Sequence, residues 1–195
     1  MSTKKSAYVN FVTSAGTAFY AWLNKPDEGS EFSDGKYKVT IAFQKDDPVV
    51  GELKATIKDA AEREFGQKIP AGFHNPLKDG DASGKEQYAG MVYMNMKSTR
   101  KPTQVDAKNG PLPSNIIIMG GDTIRVGGAA KAYSGAQKGV SLYLEFVKLI
   151  SKNNTGSGGP STAASVFGDD EGFVSTDAEE VAEASTGSLI DIDDL

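Results

Sequence analysis

Residues 36–66 read KYKVTIAFQKDDPVVGELKATIKDAAEREFG, and within them the chain changes its period. In the first part Tyr37, Val39, Ile41 and Phe43 alternate with Lys36, Lys38, Thr40 and Gln44. This is the two-residue repeat of a strand that turns one face to a core. From Asp47 the spacing becomes helical, and Val50, Leu53, Ile57, Ala61 and Phe65 fall on one side. Asp47 is the expected cap, since its carboxylate can accept from the free N–H groups of a first turn. Pro48 suits that turn, where its missing N–H leaves no bond unmade, and Gly66 ends the helix.

Strand periods dominate on either side. GTAFYAWLN (16–24) sets Phe19, Ala21 and Leu23 against Tyr20 and Trp22. YAGMVYMNMKSTRK (88–101) and NIIIMGGDTIRVGGAAKAYSG (115–135) supply two further strands. GVSLYLEFVKLI (139–150) alternates Val140, Leu142, Leu144 and Phe146 with Ser141, Tyr143 and Glu145. The Gly-, Pro- and Asp-rich stretch 66–87 and the polar stretch 101–114 read as loops. The expected fold is therefore mainly β, with about five strands and one helix after the second. Glycines within strands (Gly120, Gly121, Gly127, Gly128) suit the bends of a small coiled barrel; an open α+β sandwich carries the same periods.

Charge divides the chain. Residues 1–150 hold 20 Lys and Arg against 16 Asp and Glu, a balance of +4, whereas residues 151–195 hold one lysine and ten acids, a balance of −9. The boundary, SKNNTGSGGPSTAAS (151–165), has linker composition. Beyond it apolar residues are sparse and aperiodic, too few to offset chain entropy, so 151–195 is expected to be a linker and a disordered acidic tail. Its end, SLIDIDDL, threads Leu189, Ile190, Ile192 and Leu195 between Asp191, Asp193 and Asp194. That pattern reads as a tethered ligand with aliphatic anchors and phosphate-like charge.

The chemistry of an enzyme is thin. There is no cysteine, which excludes disulfides and thiolate sites, and His74 is the one histidine. No GxSxG elbow occurs, and GGDTIRVGG (120–128) lacks the lysine and spacing of a phosphate-binding loop. Asp46–Asp47 and Asp79/Asp81 read as a helix cap and a solvated loop rather than a cation site. No catalytic role, cofactor or metal is expected. The start, MSTKKSAYVNF, has no apolar run of a secretory signal, and no stretch reaches the ~20 apolar residues of a membrane helix. A cytoplasmic protein with no membrane partner is the expectation.

What the body does have is cations interleaved with rings: Tyr20, Trp22 and Lys25; Lys36 and Lys38; Lys97, Arg100 and Lys101; Arg125, Lys131 and Tyr133. Single-stranded nucleic acid requires this mixture, because cations track phosphates while flat rings stack on unpaired bases. Phe19, Tyr37, Phe43 and Phe146 read instead as core. For Tyr20, Trp22 and Tyr133 both readings stand.

On TSAGTAFYAWLNKPDEG (13–29), GKYKVTIAFQKDDP (35–48) and IIIMGGDTIRVGGAAKAYSGAQKGVSLYLEFVKLI (116–150), together with the acidic terminus, the chain resembles the single-stranded DNA-binding proteins of tailed bacteriophages. The resemblance implies an oligonucleotide-binding (OB) barrel over 1–150 with a helix after its second strand. It implies single-stranded DNA as ligand, with Tyr20, Trp22, Lys25, Lys131 and Tyr133 in matching motifs. It further implies a tail that recruits the phage DNA polymerase, helicase/primase or other replication proteins, and it leaves self-association open. A reading of another class is an adaptor or DNA mimic that acts through its tail alone.

Overall fold

The computed structural model describes residues 6–29, 31 and 33–153, all within one unit, Met1–Gly159. The acidic tail, with Leu189, Ile190, Asp191, Ile192, Asp193, Asp194 and Leu195, lies outside the described residues. In chain order the elements are β1 (Val9–Val12), β2 (Gly16–Trp22), β3 (Tyr37–Gln44), α1 (Pro48–Phe65), β4 (Leu77–Asp79), β5 (Met91–Ser98), β6 (Thr103–Val105), β7 (Thr123–Ser134) and β8 (Lys138–Ser151). The fold is mainly β with one α-helix among the described residues. Among the described residues no helix is long and apolar enough to cross a membrane.

Five strands close on themselves. β2 pairs β3, β3 pairs β5, β5 pairs β8, β8 pairs β7 and β7 returns to β2. Every pairing in this ring is antiparallel except β5 with β8, which is parallel and rests on one register pair, Lys97 and Tyr143. β1 and β4 are short additions, on β7 and β5 respectively. β6 runs parallel to β8 at Thr103–Phe146, so it resumes along β8 the line that β5 leaves at Ser98. The helix follows the second strand of the ring, as expected. Three short strands were not: β4 lies inside the stretch read as the 66–87 loop, β6 inside the polar 101–114 loop, and β1 ahead of the first expected strand.

Inward residues of the ring (Ile41, Met94, Met96, Ile124, Val126, Leu144, Val147) form a single core with Val50, Leu53, Ile57 and Ala61 of α1. Each large aliphatic buried there contributes about 1.5–3 kcal/mol. α1 packs chiefly on β7, and its limits are those the sequence set. The Asp47 carboxylate accepts from the Val49 amide at 2.9 Å, and Gly66 closes the last turn at φ 71°.

Two bulges alter the alternation read from the sequence. In β2 the register shifts between Phe19 and Trp22, and Tyr20 sits at φ 49°. Inward positions are therefore Ala18 and then Leu23, and Phe19 turns outward, half-buried against Tyr88. In β8 the register slips opposite Gly127/Gly128, leaving Glu145 without a partner. The inward phase changes from Val140, Leu142 and Leu144 to Val147 and Leu149, so Phe146 is 54% exposed rather than core. A bulge adds one residue to one strand and flips every later side chain to the other face. Gly128 permits it, because a Cβ there would overlap the Tyr143 carbonyl oxygen. Gly120 and Gly121, expected within a strand, form the turn before β7, with Gly121 at φ 91°.

Candidate nucleic-acid interface

The outer face of β3, β5, β8 and β7 carries the candidate site. Cross-strand register places Trp22 opposite Lys38, Lys38 opposite Lys97, and Lys97 opposite Tyr143. At ~4.8 Å per strand this row of ring, cation, cation, ring runs about 14 Å across the sheet. Further along β7 and β8, two more cross-strand pairs set Lys131 opposite Ser141 and Tyr133 opposite Gly139.

Over the parallel seam of β5 and β8 lies a groove of about 920 Å³. Its cationic lining is Lys36, Lys78, Lys97, Arg100 and Lys101, and its rings are Tyr8, Tyr133, Tyr143 and Phe146, with His74 at one side. The seam explains the groove. β5 stops at Ser98 and its line resumes at Thr103, so residues 99–102 leave the sheet and raise Arg100 and Lys101 over the opening. On the facing strand the Glu145 bulge brings Phe146 out beside Tyr143. Tyr8 packs edge-on to Tyr143 at 5.9 Å, and the Lys131 ammonium lies 4.8 Å from the Tyr8 ring centroid. Such a cation over a ring face is held by the ring quadrupole.

The expected site residues thus separate into groups. Lys36, Lys97, Arg100, Lys101 and Tyr133 line the groove. Trp22, Lys38 and Lys131 stand on the same face beside it, Trp22 being 42% exposed. Tyr20 lies at the β2 bulge, where its hydroxyl accepts from the Gln87 side chain at 3.0 Å and the Lys85 ammonium sits 5.8 Å from its ring. A tyrosine at positive φ costs of order 1–3 kcal/mol and persists only where its surroundings hold it. Lys25 is exposed in the β2–β3 connection. Arg125 lies outside the groove lining, its guanidinium donating to the Thr13 carbonyl at 2.8 Å.

Sequence reading missed Tyr8, Tyr143, Phe146 and Lys78. Tyr143 was already on the outward side of its strand, and that alternation could have singled it out. Phe146 carried no such signal, because its face depends on the bulge.

Acidic groups are close by. Asp27 pairs with Lys38, whose pKa is raised chiefly by that hydrogen bond. Asp34 pairs with Lys97 at 2.6 Å and lies 3.6 Å from Lys38. Hydrogen bonding from Lys97, ahead of the opposing effect of burial, holds the Asp34 carboxyl below its usual value. The acidic pair Asp79/Asp81 is engaged by Lys45 at 2.7 and 2.5 Å.

No curated protein sequence matches the chain. Among solved structures, the single-stranded DNA-binding protein of bacteriophage Enc34 in complex with ssDNA superposes with a TM-score of 0.60 at 20% identity, over 76% of this chain and 89% of that one. The single-stranded DNA-binding protein gp2.5 of bacteriophage T7 gives 0.62 at 21% identity, over 87% and 100%. These likenesses establish the shared fold. Residues 10–180, which include every strand and groove residue above except Tyr8 and the first residue of β1, match the family model described as the ssDNA-binding protein of Enterobacter phage Enc34. That match takes in most of the sequence, and the chain belongs to the Enc34 family of phage single-stranded DNA-binding proteins.

Proposed function

We propose that this protein binds single-stranded DNA without reading its sequence, as a non-enzymatic component of phage DNA replication and recombination in the host cytoplasm. The five-strand ring serves as an OB barrel, residues 1–150 form the binding domain, and residues 151–195 form a linker and acidic tail. The observation that carries the reading is the groove over the β5–β8 seam, where cations and exposed rings share one face. Lys36, Lys97, Arg100 and Lys101 meet the phosphates, while Trp22, Tyr133, Tyr143 and Phe146 offer stacking surfaces worth ~1–3 kcal/mol per base. Stacking accepts any base, so sequence preference is weak. Membership of the Enc34 family supports the choice of ligand.

The tail, at −9 against a body at +4, competes with DNA for the groove and is released to phage polymerase, helicase/primase or other replication proteins once DNA is bound. Its aliphatics Leu189, Ile190, Ile192 and Leu195 anchor it to those partners, and Asp191, Asp193 and Asp194 give the charge.

Titration of full-length protein against labelled oligothymidylate and duplex of equal length, at two salt concentrations, tests the binding reading. Preference for the single strand, weakening steeply with salt, is expected. Absence of binding under low salt would leave the tail-borne adaptor as the reading to pursue.

A further inference from the structure

We propose that Asp34 is a built-in phosphate surrogate, occupying Lys97 in the wall of the groove until a DNA phosphate displaces it. The inference rests on the single-stranded DNA reading and adds to it an exchange of one anion for another.

The connection between β2 and β3 carries two acids that reach the same row of lysines, and they do so differently. Asp27 belongs to the fold. Its amide donates to the Lys36 carbonyl at 2.9 Å, its carbonyl accepts from the Gly35 amide at 2.9 Å, and its side chain is only 11% exposed against Lys38. These bonds close the neck of the connection, so the Asp27–Lys38 pair positions Lys38 and is not free to exchange.

Asp34 is placed for exchange. Its carboxylate, which also accepts from the Lys36 amide, reaches out to two cations, Lys97 at 2.6 Å and Lys38 at 3.6 Å, with its side chain 28% exposed. Lys97 is 51% exposed on its outer side and lines the groove. Ion pairs this open to water are weakly held, so an incoming phosphate can replace the carboxylate. The geometry also matches, since a carboxylate oxygen within hydrogen-bond distance of an ammonium stands where a phosphate oxygen would. Lys97 itself sits in register between Lys38 and Tyr143, the point at which a strand must set a phosphate down if its bases are to reach the rings on either side.

An exchange has an ionic signature. A phosphate that meets a free lysine releases its condensed counterion, whereas one that displaces Asp34 leaves a carboxylate that takes up a cation from solution. The two nearly cancel, and the salt slope of binding is smaller by about 0.7, one single-strand phosphate contact.

The test is fluorescence anisotropy of labelled oligothymidylate with the full-length chain, wild type and Asp34→Asn, at 50 and 200 mM salt. Asparagine keeps the shape and removes the charge. The variant is expected to bind more tightly, with a slope steeper by about 0.7, so that its advantage is about threefold larger at the lower salt. In a Lys97→Met background the same substitution is expected to lose most of its effect on affinity and slope, the remainder being the charge it lifts from Lys38, 3.6 Å away. Equal or weaker binding by a folded Asp34→Asn protein, with the slope unchanged, would overturn the inference and make Asp34 a positioning residue for Lys97. Wild-type protein that fails to bind the oligonucleotide at all would instead overturn the reading beneath it.

Discussion

Phe146→Ala separates the two roles a phenylalanine can have in this fold, with Phe43→Ala as its counterpart. Phe43 is 2% exposed inside the ring, whereas Phe146, moved outward by the β8 bulge, is 54% exposed. Full burial of a phenylalanine is worth about 1.5–3 kcal/mol, so about half of that, roughly 1 kcal/mol, is at stake at Phe146. Truncating the buried ring adds a cavity and costs about 3–5 kcal/mol. In a domain of this size each kcal/mol moves the melting temperature by about 2–4 °C. Phe146→Ala should therefore melt within about 4 °C of wild type, and Phe43→Ala about 6–20 °C lower. Binding should show the reverse order. Loss of one stacking ring costs ~1–3 kcal/mol, or roughly 5- to 150-fold in Kd for an oligothymidylate read by anisotropy at fixed salt. A Phe146→Ala protein as unstable as Phe43→Ala would refute the outward placement. One that is stable and binds undiminished would refute the stacking role.

Gly128→Ala should lower stability by about 1–3 kcal/mol, because the new Cβ meets the Tyr143 backbone oxygen, which cannot swing aside; urea midpoints will show it, and no change would mean the β8 bulge relaxes freely. Asp47→Ala removes the acceptor for the Val49 amide and for the Ser14 hydroxyl, 3.0 Å away, and should cost about 1 kcal/mol without affecting the oligonucleotide site. The pair of Asp34 with Lys97 predicts an acid limb. Because the folded pKa is depressed, its stabilisation is present above the usual value of 3.8 and is lost as pH falls through the folded one. The stability difference between wild type and Asp34→Asn should shrink below that pH, and a difference that persists or grows there would contradict the pairing.

The helix was fully legible, since Asp47, Pro48, the apolar face and Gly66 are all local signals in one stretch of sequence. The strand periods of β3, β5, β7 and most of β8 were legible for the same reason, and so was the basic, ring-bearing character of the face they form. The short strands β4 and β6 were not. Three residues give no period to read, and each exists only because a longer neighbour, β5 or β8, offers its edge.

By itself, then, the sequence determined which segments alternate, where the helix begins and ends, and which residue types supply cation and ring, because these depend on neighbours within a few positions. Only the tertiary structure decided which side chains meet. Lys38, Lys97 and Tyr143 share a row because of pairings more than forty residues apart, closed by a parallel seam that no local period encodes. It also decided that Phe146 faces outward, because one unpaired residue, Glu145, is accommodated where Gly128 lets the backbones approach. And it brought Asp34, one acid among many in the sequence, against a lysine that lines the groove.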